Sequence, residues 1–125
     1  MKHLELGSYG EELAFDYLKN HGFLIKERNF RRKWGEIDIV AYDLKTKEWV
    51  FFEVKTRKGN CLNSILPEEE LTTRKIQKLK KVILSYLSFK KLENQPWRFD
   101  FLAIELSDFQ TEPIIRHYKN EFLEF

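Results

Sequence analysis

A chain of 125 residues with 42% apolar and 15% aromatic content is most simply one domain, long enough to bury a core and too rich in Phe and Trp to be disordered. Its 22 Lys and Arg against 20 Asp and Glu leave a formal charge of +2, which neither demands nor excludes a polyanionic partner. The lone Cys61 cannot close an internal disulfide, no run is apolar enough for a membrane span, and the acidic N-terminus is unlike a signal peptide, so a soluble, cytoplasmic setting is expected.

The first element is a helix over residues 8–21. Leu13, Ala14, Tyr17 and Leu18 mark one face at helical spacing, Ser8 and Glu11 form a capping-box pattern, and Gly22 is a natural stop. Three strands follow at 23–30, 36–42 and 49–55, each rich in β-branched or aromatic residues. The short link between the second and third predicts an antiparallel hairpin. A long helix over 73–89 carries Ile76, Leu79, Val82, Ile83, Tyr86 and Leu87 on one side and Lys75, Lys78 and Lys81 largely off it. Pro67 and the acids Glu68, Glu69 and Glu70 belong to its approach or first turn. Asn94-Gln95-Pro96 breaks the chain before a fourth strand at 97–106, and 114–119 supplies a fifth; NEFLEF at the end is not assigned. The order αβββαβ, then β, implies a right-handed parallel crossover through the second helix and a mixed sheet flanked by helices, an α/β fold.

The hairpin carries the chemistry. If Tyr42 faces Trp49, then Asp38 falls opposite Glu53 and Glu36 opposite Lys55, and Asp38, Glu53 and Lys55 share one side of the sheet. Opposed carboxylates, with Cβ atoms about 4.5–5.5 Å apart, repel. A shared proton, a nearby cation such as Lys55, or a bound divalent metal would offset that, and Mg²⁺ is typically held by one or two carboxylates. The plainer reading is a half-exposed strand whose acids face water. Against it, Ile37, Ile39, Val40, Ala41 and Phe51 make these strands apolar on both faces. The template D/E-x-K is weak alone: Asp43-Leu44-Lys45 also matches it, by chance, in the turn.

The runs G-E-I-D-I-V-A and F-F-E-V-K-T-R resemble the small bacterial UPF0102 (YraN-like) proteins, with support from G-E-E-L-A at Gly10 to Ala14, from Lys75 and Lys78, and from R-F-D at Arg98 to Asp100. That family is similar to archaeal Holliday-junction resolvases and to restriction-endonuclease-like PD-(D/E)xK nucleases. The resemblance implies a restriction-endonuclease-like fold and a metal-dependent endonuclease acting on DNA, branched DNA included. It also implies Asp38, Glu53 and the Val54 carbonyl as ligands of Mg²⁺ or Mn²⁺, Lys55 beside the attacking water, and a helix acid, Glu11 or failing that Glu12. Glu11 is equally explained by the capping box, and Glu36 by pairing with Lys55 or by solvent. The family pattern's Pro before the Asp is replaced by Ile37. Arg31, Arg32, Lys33, Arg57, Lys58, Arg74, Lys75 and Lys78 are the candidate phosphate contacts, which would position DNA without reading its sequence. Trp34 would stack on an unpaired base or cap the core edge. A homodimer would suit a junction substrate. The alternative is a catalytically silent nucleic-acid-binding module of the same fold. Scattered histidines and a single cysteine offer no zinc pattern.

Overall fold

In a computed structural model describing residues 3–58, 71–106 and 112–119, the elements run α1 (His3–Asn20), β1 (Phe23–Arg32), β2 (Gly35–Asp43), β3 (Glu48–Lys58), α2 (Thr73–Phe89), β4 (Trp97–Leu106) and β5 (Ile114–Tyr118). Cys61, the Pro67 segment and the NEFLEF terminus lie outside the described residues. The strands form one sheet in the order β1-β2-β3-β4-β5. Every neighbouring pair is antiparallel except β3 with β4, the pair that α2 joins.

Each helix covers one face. Ala14, Phe15 and Leu18 of α1 pack with Ile39, Ala41, Val50, Phe52, Leu102 and Ile104. Val82, Ile83, Tyr86 and Leu87 of α2 pack on the other side with Phe30, Ile37, Val40, Phe51 and Phe99. The alternation of strand side chains sorts these residues into two cores, and the result is a three-layer α/β/α arrangement with a restriction-endonuclease-like core. The amphipathic pattern of α2 sets its register, and Thr72 caps it, its side chain accepting from the Lys75 N–H at 3.2 Å.

The first helix begins five residues before the expected start. Leu4, Glu5 and Leu6 are good helix formers, and they carry the helix through Ser8. The Ser8–Glu11 capping box is therefore a false signal: both residues are interior to α1, where the Ser8 N–H is available to the helix's own hydrogen bonding. The C-terminal end is as expected. Gly22 takes φ +85° and Phe23 packs back into the α1 core.

Strand alternation also breaks in β1, first where its register against β2 shifts between Ile25 and Glu27, and again beyond Arg28. Arg28 stacks 3.1 Å from the Phe15 ring centroid on the α1 side, while Phe30, two residues on, meets Tyr86 on the α2 side. Asn29 between them has φ 51°. Across the ladder, Ile39 belongs to the α1 core and Ile37 to the α2 core. Both strands thus change faces together, at Asn29 and at Asp38.

Candidate active site

The hairpin has the expected phase, with Tyr42 facing Trp49. Its ladder ends at Ile39 and Phe52, one step before Asp38 and Glu53, while β3 continues alongside β4 as far as Lys58. Asp38 and Glu53 are therefore not a backbone pair, and neither are Glu36 and Lys55. A side chain takes over where the ladder stops: Asp38 Oδ2 accepts the Val54 N–H at 2.7 Å. The strands part because this carboxylate occupies the place of a strand partner.

Around that fork the acids gather. Burial raises the Asp38 pKa, the negative charge of Glu53 raises it further against the opposing Val54 N–H, and Glu36 and Glu11 add to it, bringing it to about 8. Burial also raises Glu53, to about 6, with Lys55 and Lys75 pulling down and Glu36 pushing up. The two titrate together, so the pair holds a proton well above the ordinary carboxylate range. Glu11 is raised as well, first by burial and then by Glu36, and its charge in turn adds to the Asp38 shift. The fallback acid Glu12 is turned away, 3.4 Å from Arg28 on the surface.

Glu53 and Lys55 open into a cleft between the sheet and α2, with a volume of about 220 Å³. Its walls are Leu71, Leu79, Val82 and Phe101, and its rim carries Trp34, Glu36, Lys75 and Lys78. Asp38 does not line the cleft. It adjoins it through the β3 main chain.

The candidate phosphate contacts divide. Lys75 and Lys78 stand at the cleft, and Arg31 stands close by, held 2.8 Å from Glu36. Lys33 is exposed in the β1–β2 turn. Arg74 lies with Lys78 and Lys81 on the outward side of α2. Arg57 and Lys58 are half-buried at the end of β3 and interact within the chain. Arg32 is drawn away: it lies over the Phe30 and Phe89 rings and donates to Ser85.

A second polar cluster lies on the α1 side of the sheet and was not anticipated. Arg98 donates to Asp43 at 2.9 Å, Glu48 at 2.7 Å, Thr46 at 3.0 Å and Asp100 at 3.0 Å. His117 Nε2 lies 2.7 Å from Asp100, and its Nδ1 faces the Tyr17 hydroxyl at 3.3 Å. Arg98, Asp43 and Asp100 are all buried. Burial would raise Asp43, but Arg98 and the N–H groups of Lys45 and Thr46 outweigh it, and its pKa falls. The D-x-K of the turn is thus a turn cap and an arginine partner, apart from the acid fork.

Comparison with known proteins agrees with the fold. The model of the uncharacterised protein family UPF0102 matches residues 10–104, a span that holds Glu11, the fork, the E-V-K strand and Arg98. The chain belongs to the UPF0102 family. A UPF0102 protein of Clostridium botulinum (strain Loch Maree / Type A3) is 42% identical over 119 residues, 94% of each chain. One from Geotalea daltonii is 43% identical over 117 residues, 94% of this chain and 88% of its own. The names of these relatives give the family and no activity. No helix among the described residues is long and apolar enough to cross a membrane.

Proposed function

We propose that this UPF0102 chain is a metal-dependent endonuclease that hydrolyses phosphodiester bonds in DNA, branched or otherwise structured DNA in particular. One observation carries the reading: where the β2–β3 ladder ends, the Asp38 carboxylate takes the Val54 N–H, the charges of Glu53 and Glu11 act on it, and Lys55 follows Glu53 on the same strand. Buried like charges are costly, and a fold keeps them where a cation or substrate relieves them.

The donor set fits a hard divalent cation. No group of three or more His, Cys, Asp and Glu side chains arranged for a metal occurs among the described residues. What the fork offers is Asp38, Glu53 and the Val54 carbonyl, the short all-oxygen complement that Mg²⁺ or Mn²⁺ takes when water and phosphate complete its shell. Such an ion, when bound, would neutralise the phosphate and lower the pKa of a coordinated water.

The protein groups divide the remaining work. The Val54 N–H fixes the Asp38 carboxylate before any ligand arrives. Lys55 provides a positioned positive charge against the charge that develops on the phosphoryl oxygens. Glu11 is the helix acid that the family resemblance implies, and it can hold a proton or orient water beside the fork. Lys75, Lys78 and Arg31 anchor neighbouring phosphates, while Lys33, Arg57, Lys58 and Arg74 extend the basic surface without base reading.

The test is cleavage of single-stranded, duplex, flap and four-way-junction DNA in Mg²⁺ and in Mn²⁺. Asp38→Ala should abolish the activity, and Lys55→Ala should lower it by about 10²–10³. Cleavage undiminished by both substitutions would refute the site. A second reading, a silent binding module, draws on the fact that Asp38 is already engaged by the Val54 N–H. Calorimetry separates the two: retained DNA affinity with no heat of Mg²⁺ or Mn²⁺ binding would favour the silent module.

A further inference from the structure

We propose that the cleft beside Glu53 receives one unpaired nucleobase stacked on Trp34, with its flanking phosphate against Lys55, Lys75 and Lys78. The proposal rests on the DNA reading above and narrows its substrate to strands with an extrahelical or single-stranded nucleotide.

Trp34 sits in the β1–β2 turn with 53% of its surface exposed, and it lines the cleft, so its indole is open to a ligand there. The turn is held hard against α2. A Cβ added at the neighbouring Gly35 would come within 2.9 Å of Val82 Cγ2. The glycine thus lets the turn close on the helix, and that contact sets where Trp34 stands.

Behind Trp34 the cleft has two kinds of surface. Leu79, Val82 and Phe101 make an apolar wall, and Lys55, Lys75 and Lys78 place ammonium groups at the same opening. A paired duplex presents phosphates and sugars outward and keeps its base faces stacked, so it would use the cations and leave the wall empty. An unstacked nucleotide has an apolar π-face and an anion one sugar apart, matching both surfaces. Size points the same way. At about 220 Å³ the cleft falls below the roughly 300–1,000 Å³ of pockets that enclose drug-sized ligands, so it suits one ring system and not a helix or a duplex end.

The proposal can be separated from the hydrolase reading because it concerns binding. The probe is a short duplex with one unpaired 2-aminopurine, beside the same duplex fully paired and beside free dAMP. Emission and anisotropy are read in EDTA and again in Ca²⁺. The bulged duplex should bind more tightly than the paired one and change its 2-aminopurine emission on binding. Trp34→Ala should weaken bulged-DNA binding by roughly five- to thirty-fold, leave paired-duplex binding unchanged, and be rescued in large part by Trp34→Phe. Because Trp34 is exposed, these variants should fold as the parent does, which thermal melts verify. Equal affinity for bulged and paired DNA, or an equal loss for both in Trp34→Ala, would overturn the base pocket. So would dAMP binding as tightly as the bulged strand, since the site would then belong to a free nucleotide. None of these results depends on cleavage. A protein that cuts DNA in Mg²⁺ yet ignores the bulge would keep its hydrolase assignment and lose this one.

Discussion

Replacing Asp38 with Asn should make the metal-free protein more stable at alkaline pH, the opposite of what altering a half-buried, hydrogen-bonded side chain usually does. The reason is the height of its folded-state pKa. Asp38 moves from an ordinary 3.8 to about 8 in the fold, through burial and then the charge of Glu53. An acid with a raised folded pKa holds its proton more tightly when folded. Folding therefore takes up a proton between the two values, and stability falls as pH rises through that window. Below the lower value both states are protonated and no penalty exists; above the upper value it is complete. At about 1.36 kcal/mol per pKa unit the ceiling is roughly 6 kcal/mol. Asp38 and Glu53 share one titration, and both keep partial access to water, so about 1–3 kcal/mol is the expected gain for the variant. The substituted side chain would still accept the Val54 N–H through its amide oxygen, which keeps the fork in place. Urea unfolding of wild type and Asp38→Asn from about pH 5 to pH 9 measures it: the gap should open as pH rises. Saturating Mg²⁺ should then reverse the order, since a ligand at a hundred times its Kd adds about 2.7 kcal/mol to a protein that binds it and nothing to one that does not. A gap that stays constant with pH, or a variant less stable than wild type at the alkaline end, would refute the reasoning about the fork.

Lys55→Ala should cut single-turnover cleavage by about 10²–10³ while leaving the unfolding midpoint close to wild type, as expected for a group whose charge matters at the reacting phosphate. Gly10→Ala should destabilise, although glycine to alanine inside a helix ordinarily gains about 1 kcal/mol. Here the new Cβ would fall 1.9 Å from Thr56 Oγ1 and 2.8 Å from Thr56 Cβ. Overpacking of that kind costs about 1–3 kcal/mol, and Thr56→Ala should relieve part of it in a double-mutant cycle. Arg98→Met should cost about 3–5 kcal/mol, because Asp43 and Asp100 would be left buried without their cation. That loss should shrink as pH falls and the stranded acids protonate, which denaturation at two pH values would reveal.

The elements easiest to read from the sequence were those with punctuation at both ends. The second helix and fourth strand were legible to the residue, because the apolar residues of α2 keep a clean helical period and Asn94-Gln95-Pro96 separates it from a strongly apolar and aromatic run. The start of α1 misled because S-x-x-E is a capping box only if the helix begins there, and good helix formers upstream extended it. The hairpin phase was legible from the aromatic pair Tyr42 and Trp49, which stack edge-on at 5.9 Å. The place where the ladder stops was not legible, since a side chain to main-chain bond from Asp38 decides it, and strand alternation says nothing about such bonds. Part of the Arg98 cluster could have been seen: Arg98 and Asp100 alternate within an apolar strand and so share a face. Its remaining members, Asp43, Glu48 and His117, come together only through the tertiary register.

The two charged clusters serve as controls for each other. Both are built on the same sheet, and both set acids among apolar neighbours. In one, a single guanidinium meets three carboxylates with hydrogen bonds of 2.7–3.0 Å, and Asp43 ionises more readily than it would in water. Those acids are answered within the chain, and the cluster ties the β2–β3 turn to β4, with His117 and Tyr17 extending the link to β5 and α1. At the fork the balance runs the other way. Lys55 and Lys75 lower Glu53, yet burial prevails and Asp38, Glu53 and Glu11 all resist ionisation. A fold that can supply a buried arginine to one group of acids has no general need to leave another under-compensated. The difference between the clusters, more than the mere presence of carboxylates, is what supports the proposal that the first serves stability and the second chemistry.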